Sequence, residues 1–169
     1  MTVAAPAHVS VETTNPKRPN NMGVQRIFTW DEIKEVVAAG RLELLGRTEP
    51  KEIAYRADMQ KIREEYGSVT NYVLSVKLGK FINESTDDYL MIPNDYPYAL
   101  PDNTFHYIVW SKVAMAPGTV PDPVVKSLFD SKLDELHGTA ARESLWFVNP
   151  PALQSIPEVV HGHLIVKML

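Results

Sequence analysis

No cysteine occurs in this chain, and that absence removes disulfides, thiolate zinc centres and a cysteine nucleophile together. Long apolar runs are missing as well. No stretch approaches the ~18 consecutive apolar residues of a membrane span, so no membrane partner is expected. A basic surplus is also lacking: 17 Lys and Arg stand against 21 Asp and Glu, for a formal net charge of −4. Phosphate neutralisation dominates nucleic-acid affinity, so this balance argues against a large nucleic-acid footprint and leaves room only for a local basic patch. There is no phosphate-cradling glycine loop, serine elbow, HExxH motif or dinucleotide fingerprint. The N-terminus lacks the charged start and apolar core of a signal peptide, and a cytoplasmic location is the expectation.

What is present suits one globular domain. At 169 residues, with 44% hydrophobic and 22% charged residues, the chain is large enough to bury a core without staples. Residues 1–26, rich in Pro, Thr and Asn and poor in large apolar side chains, are expected to form a loose tail containing His8, with a single domain over 27–169. Thr29 and Glu32 have capping-box spacing ahead of Ile33, Val36 and Val37, which predicts a helix closed by Gly40. A second helix is expected from Thr48-Glu49-Pro50 to Gly67, and a third from Ser68 to Gly79. The segment INESTDD then reads as a polar loop. Asp122-Pro123 opens a later helix that ends at Gly138, with His137 complementing its dipole.

The strand signals lie in the second half. YLMIP (89–93), TFHYIVWSK (104–112), 144–148 and 159–168 are the candidates. The order is helices first, then a small antiparallel or mixed sheet with one inserted helix: an α+β fold.

The last strand carries His161 and His163 two apart, so both imidazoles face the same way. The strand before the inserted helix shows His106, Ile108, Trp110 and Lys112 on one face, and the last shows His161, His163, Ile165 and Lys167. Matching faces on neighbouring strands would gather three histidines at one end of the sheet. Two chemistries suit that grouping. In a metal site, His161 and His163 would be ligands, with His106, Asp95 or Glu158 completing the sphere. In acid–base or nucleophilic work, one imidazole acts while another orients it. Asp95, in the proline-stiffened loop Asn94 to Tyr98, could orient a histidine in the manner of a triad's third member. The alternative for Asn94 or Asp95 is an Asx-turn. Catalytic candidates are therefore His161, His163, His106 and Asp95. Binding candidates are Asn94, Tyr98, Trp110, Lys112, Trp146, Asn149, Gln154 and Lys167. The sequence requires no cofactor.

Three blocks carry a family resemblance: EYGSVTNYVL (65–74), PNDYPYALPDNTFHYIVWSK (93–112) and WFVNPPALQSIPEVVHGHLIVK (146–167). In this order they resemble a fungal family, the N-acetylglucosamine-induced proteins. Some relatives of that family are arginine-containing cyclodipeptide synthases, which condense aminoacyl groups carried on tRNA. The resemblance implies a fungal specialised-metabolism enzyme acting on a small-molecule or aminoacyl substrate, with tRNA as a partner. The aspartate-aspartate-x-x-glutamate motif of those synthases stands here as Asp87-Asp88-Tyr89-Leu90-Met91, without the glutamate. A looser resemblance links the ordered Asn149, Gln154, His161 and His163 to the histidine-triad fold, which implies phosphoester or nucleotidyl chemistry through a histidine nucleophile. The bland alternative is a non-catalytic regulatory binding protein.

Overall fold

The computed structural model describes residues 23–169; most of the expected tail, with His8, lies outside them. The packed unit starts earlier than composition suggests. Val24 is buried, forms a parallel bridge to Thr48 and donates its N–H to the Arg47 carbonyl at 2.8 Å. A lone valine among polar neighbours gives no periodic pattern, so only this pairing reveals its place.

Helix α1 spans Trp30–Ala38. Its capping box is complete: Glu32 N–H donates to Thr29 Oγ1 at 3.3 Å, and Thr29 N–H donates to the Glu32 carboxylate at 2.8 Å. Arg26 binds the same carboxylate at 2.7 and 2.8 Å and, as the largest cause, lowers its pKa to about 2. A 3-10 turn at Leu42–Leu44 leads to α2, Glu49–Tyr66, which buries only Met59. Helix α2 therefore stands beside the sheet and contributes a wall more than a core.

The expected third helix is built differently. An α-helical turn, α3 (Val69–Tyr72), runs into a π-helical segment, Val73–Lys77, and then into α4, Gly79–Glu84. Gly79 starts α4 instead of ending the third helix, and the first part of INESTDD is helical. The physical reason is the π turn. Leu78 N–H bonds Val73 O at 2.9 Å, five residues back, so the backbone absorbs an extra residue and carries on. Leu78 and Phe81, both buried, hold this continuation against the sheet.

Strands β1 (Tyr89–Pro93), β2 (Thr104–Ser111), β3 (Arg142–Phe147) and β4 (His161–Met168) form one antiparallel sheet in the order β1-β2-β4-β3. Helix α5, Pro123–His137, is inserted between β2 and β3, with Asp122 accepting from Val124 N–H at 2.8 Å. The architecture is the expected α+β. On one face Tyr107, Val109, Leu164, Val166 and Trp146 pack against Val125, Phe129 and Leu133 of α5. On the other, Phe147 and Ile165 meet α1, while Ile108 and Trp110 meet the segment from Val69 to Phe81. The histidines lie between those two apolar clusters.

Candidate functional site

Antiparallel register decides which imidazoles meet. Trp110 pairs with His161, Ile108 with His163 and His106 with Ile165, while Phe147 of β3 faces His163 from the other side. His106 and His163 are thus diagonal neighbours on one face, and their rings bond Nε2 to Nδ1 at 2.9 Å. All three histidines are buried. The grouping falls in the middle of the face, because antiparallel strands carry Lys112 and Lys167 to opposite ends.

The proton positions follow from groups that can only donate. Tyr98 N–H lies 3.2 Å from His106 Nδ1, so that nitrogen is the acceptor and the ring proton is on Nε2. His106 Nε2–H then donates to His163 Nδ1, which places the second proton on His163 Nε2. Asn149 Nδ2 is placed 3.3 Å from that atom; two donors cannot bond, so the proton chain requires the amide turned over, with Oδ1 accepting from His163 Nε2–H. Both nitrogens of His163 are therefore spent. Phe147 stacks on His163 with centroids 4.8 Å apart and planes 8° apart, and Tyr98 lies 5.6 Å away at 18°.

His161 is different. Its Nδ1 lies 2.7 Å from the Val159 carbonyl, which only accepts, so Nδ1 carries the proton and Nε2 has a free lone pair. That Nε2 has no partner among the described residues. Among the described residues the sole buried side-chain nitrogen or oxygen without a partner is Trp110 Nε1, so His161 Nε2 is accessible to the cavity that His161 lines. Burial pushes all three imidazoles toward the neutral form. His106 falls to about 3, with the Arg47 cation adding to the effect, and His163 falls well below its usual range. His161 is lowered by burial and partly restored by its bond to Val159.

The cavity encloses about 320 Å³, within the range of small-molecule sites. Its lining includes His161, His163, Trp110 and Asn149 from the sheet side, Gln154, and Asn94, Asp95 and Tyr98 from the stiff loop. Those eight candidates are brought together. His106 sits behind His163 and supports it. Asn94 makes the Asx-turn, accepting from Tyr96 N–H at 2.9 Å.

Lys112, Lys167 and Trp146 play other parts, and Asp95, although it lines the cavity, does not take the role expected of it. Asp95 is ion-paired with Lys77 and orients no histidine. Lys112 donates to the Ser85 carbonyl at 2.7 Å and covers Phe81. Lys167 donates to the Asp102 carbonyl at 2.9 Å. Trp146 lies on the opposite face against Phe129. Alternation explains Trp146, since it pairs with Leu164, whose side chain points away from His163. A two-histidine metal site does not form either: both His163 nitrogens are occupied, and no three His, Asp or Glu among the described residues are grouped to hold an ion.

Sequence reasoning missed Arg47, Glu52, Tyr55 and Lys77, which line the cavity from the helical side. Only Lys77 left a trace, in the polar break after the Val69–Val76 run. Arg47, between two helical segments, had none.

A four-stranded antiparallel sheet with helices on both faces, a buried histidine relay and a cavity beside it make this an α+β protein. The chain belongs to the family described as a protein of unknown function, DUF3605, whose pattern matches residues 29–167. It is 28% identical over 159 residues to the uncharacterized protein YPL067C of Saccharomyces cerevisiae, covering 82% of this chain and 78% of that one. It is 24% identical over 173 residues to N-acetylglucosamine-induced protein 1 of Candida albicans, covering 83% and 68%. The fungal kinship expected from the three sequence blocks is therefore present. The crystal structure of HTC1 shares the fold, with a TM-score of 0.55 and 24% identity over 84% of this chain and 86% of that one. No helix among the described residues is long and apolar enough to cross a membrane.

Proposed function

We propose that the protein is a group-transfer enzyme that cleaves a phosphoester or nucleotidyl bond through His161. One observation carries this reading: His161 is locked as the Nδ1–H tautomer by the Val159 carbonyl at 2.7 Å, so its unprotonated Nε2 is turned over to the cavity. In the first step the Nε2 lone pair attacks phosphorus. The N–P bond forms as the bond to the leaving oxygen breaks, and that oxygen takes a proton from water. The ring becomes an imidazolium, and its Nδ1–H bond to Val159 O becomes charge-assisted and stronger. Water then attacks phosphorus as the N–P bond breaks, its electron pair returning to Nε2, and the attacking water loses a proton to solvent, which restores the neutral ring. His163, with both nitrogens committed, positions its neighbour; His106 and Asn149 hold His163.

The geometry resembles histidine-triad chemistry in using a backbone-anchored imidazole beside a second histidine. Aminoacyl condensation would use the same nitrogen through an acyl-imidazole, and the family resemblance supports it. Asp87 and Asp88 are not among the residues lining the cavity.

Turnover of a panel of nucleotide phosphoesters and phosphoramidates, with acid-labile phosphohistidine trapped in rapid-quench samples, tests the reading. His161→Ala should lower turnover at least about a thousandfold and abolish labelling. His163→Ala should keep the label at His161 while slowing turnover. Full activity in His161→Ala, or neither turnover nor label in the wild-type protein, sinks phosphoester chemistry. Consumption of aminoacyl-tRNA by the wild-type protein in the same assay would then assign the aminoacyl route.

A further inference from the structure

We infer that Arg47 forms an anion-binding site in the cavity and takes the negatively charged group of the ligand with its Nη2 amino group. The inference rests on the phosphoester reading for the identity of that group, and on geometry for the site itself. Arg47 is tied down on every other side. Its Nε donates to the Tyr96 carbonyl at 3.0 Å, its Nη1 to Glu52 at 3.1 Å, and its guanidinium carbon lies 3.8 Å from the centre of the Tyr55 ring. Its backbone is clamped too, since the Arg47 carbonyl accepts from Val24 N–H at 2.8 Å and the preceding Gly46 carbonyl accepts from Ala99 N–H at 2.7 Å. Nη2 alone has no partner among the described residues. Trp110 Nε1 is the only buried unpartnered atom there, so Nη2 is accessible, and Arg47 lines the cavity together with His161 and His163.

Charge counting agrees. Glu52 is shared between Arg47 and Arg56, so its carboxylate is not committed to Arg47 alone. Lys77 is balanced by Asp95. The Asp58 carboxylate accepts from the Tyr96 hydroxyl at 3.2 Å and is not among the lining residues. The Arg47 field also reaches the relay, since it disfavours protonation of both His106 and His163. A planar cation stacked on tyrosine, pinned by three contacts and with one free N–H pair, is preorganised for a phosphate or carboxylate oxygen. Little side-chain entropy remains to be lost when the anion arrives.

Phenyl phosphate, with phenol as the uncharged control, is the probe; calorimetry measures binding and circular dichroism checks folding. The wild-type protein should bind phenyl phosphate and not phenol. Arg47→Met should weaken binding about ten- to a hundredfold, the range expected for a hydrogen bond to a charged group. His161→Ala should bind nearly as well as wild type while turning nothing over, which separates recognition from chemistry. If Arg47→Met does not fold, the wild-type protein gives a second reading. Modification of Arg47 by 2,3-butanedione, mapped by mass spectrometry, should be blocked by phenyl phosphate and not by phenol. Undiminished binding by folded Arg47→Met, no binding by wild type, or modification without protection each overturns the site. Arg47-dependent binding without any phosphoester turnover keeps the anion site and removes only the chemistry proposed for His161.

Discussion

The two faces of β4 set two chemistries one residue apart. Toward α5 the strand presents Gly162, Leu164 and Val166, packed with Trp146 and Phe129 in a largely apolar layer that holds no buried histidine, its Tyr107 hydroxyl reaching His137 Nε2 at 2.7 Å. Toward the cavity it presents His161, His163 and Ile165, and there the ring nitrogens of His106 and His163 are satisfied by a directed chain from Tyr98 N–H through both rings to Asn149. Packing on the first face depends on shape. On the second it depends on where protons sit, because a neutral imidazole must both give and accept to be buried without cost. The contrast teaches that the site is stabilised by being uncharged, and that only His161 is released from the network to do work.

Acid should break the cavity face first and by the largest amount. The folded pKa values of His106, His163 and His161 all lie below 6.5. Above 6.5 both folded and unfolded chains hold neutral rings and stability is at its full value. As pH falls below 6.5 the unfolded chain takes up protons that the folded one refuses, so stability is lost progressively, for His106 down to about 3. At one pH unit below 6.5 the loss approaches roughly 1.4 kcal/mol for each histidine that stays neutral. Urea midpoints at pH 7.5 and 5.5 measure it. An unchanged midpoint would mean that the native rings accept protons and that the proton chain is wrongly drawn.

The opposite face should fail through shape. A Cβ added at Gly162 would lie 2.2 Å from Trp146 Cη2 and 2.4 Å from Cζ2. Gly162→Ala must therefore displace a buried indole and should cost about 2–3 kcal/mol, an overpacking effect independent of pH between 7.5 and 5.5. Equal acid sensitivity in this variant and the wild type would sharpen the division between the faces; a variant as stable as wild type would erase it.

The smallest effect is expected at Trp110, whose Nε1–H is buried with no acceptor among the described residues. Trp110→Phe removes that unpartnered donor while keeping most of the ring against His161, 4.8 Å away. Stability should change by less than about 1 kcal/mol, since the loss of packing is offset by relief of an unpaired polar group. Thermal unfolding checks this, and a loss of several kcal/mol would mean that the indole N–H is bonded in the folded protein.

Much of this was legible in the chain. Capping residues Thr29, Glu32 and Asp122 marked helix starts, and alternation along β2 and β4 put His106, His161 and His163 on matching faces. The asparagine, tyrosine and glutamine candidates did reach the cavity. Other features were hidden. The π turn at Val73–Lys77 reads as ordinary helix because its apolar spacing is that of a helix. Lys112 and Lys167 read as site residues because a strand pattern shows which face a side chain takes but not where along the partner it lands. Asp95 fitted an orienting role by its position in a stiff loop, and Lys77, eighteen residues earlier, claimed it instead.

By itself, then, the order of residues determined the elements and their two-sided patterns, since period and capping are local properties of the chain. Only the tertiary structure decided the proton chain, the freedom of His161 and the arrival of Arg47 at the same cavity. Those depend on strand register and on which distant donor meets which lone pair. Such contacts join residues up to fifty-seven positions apart, as in His106 and His163, and no local pattern records them.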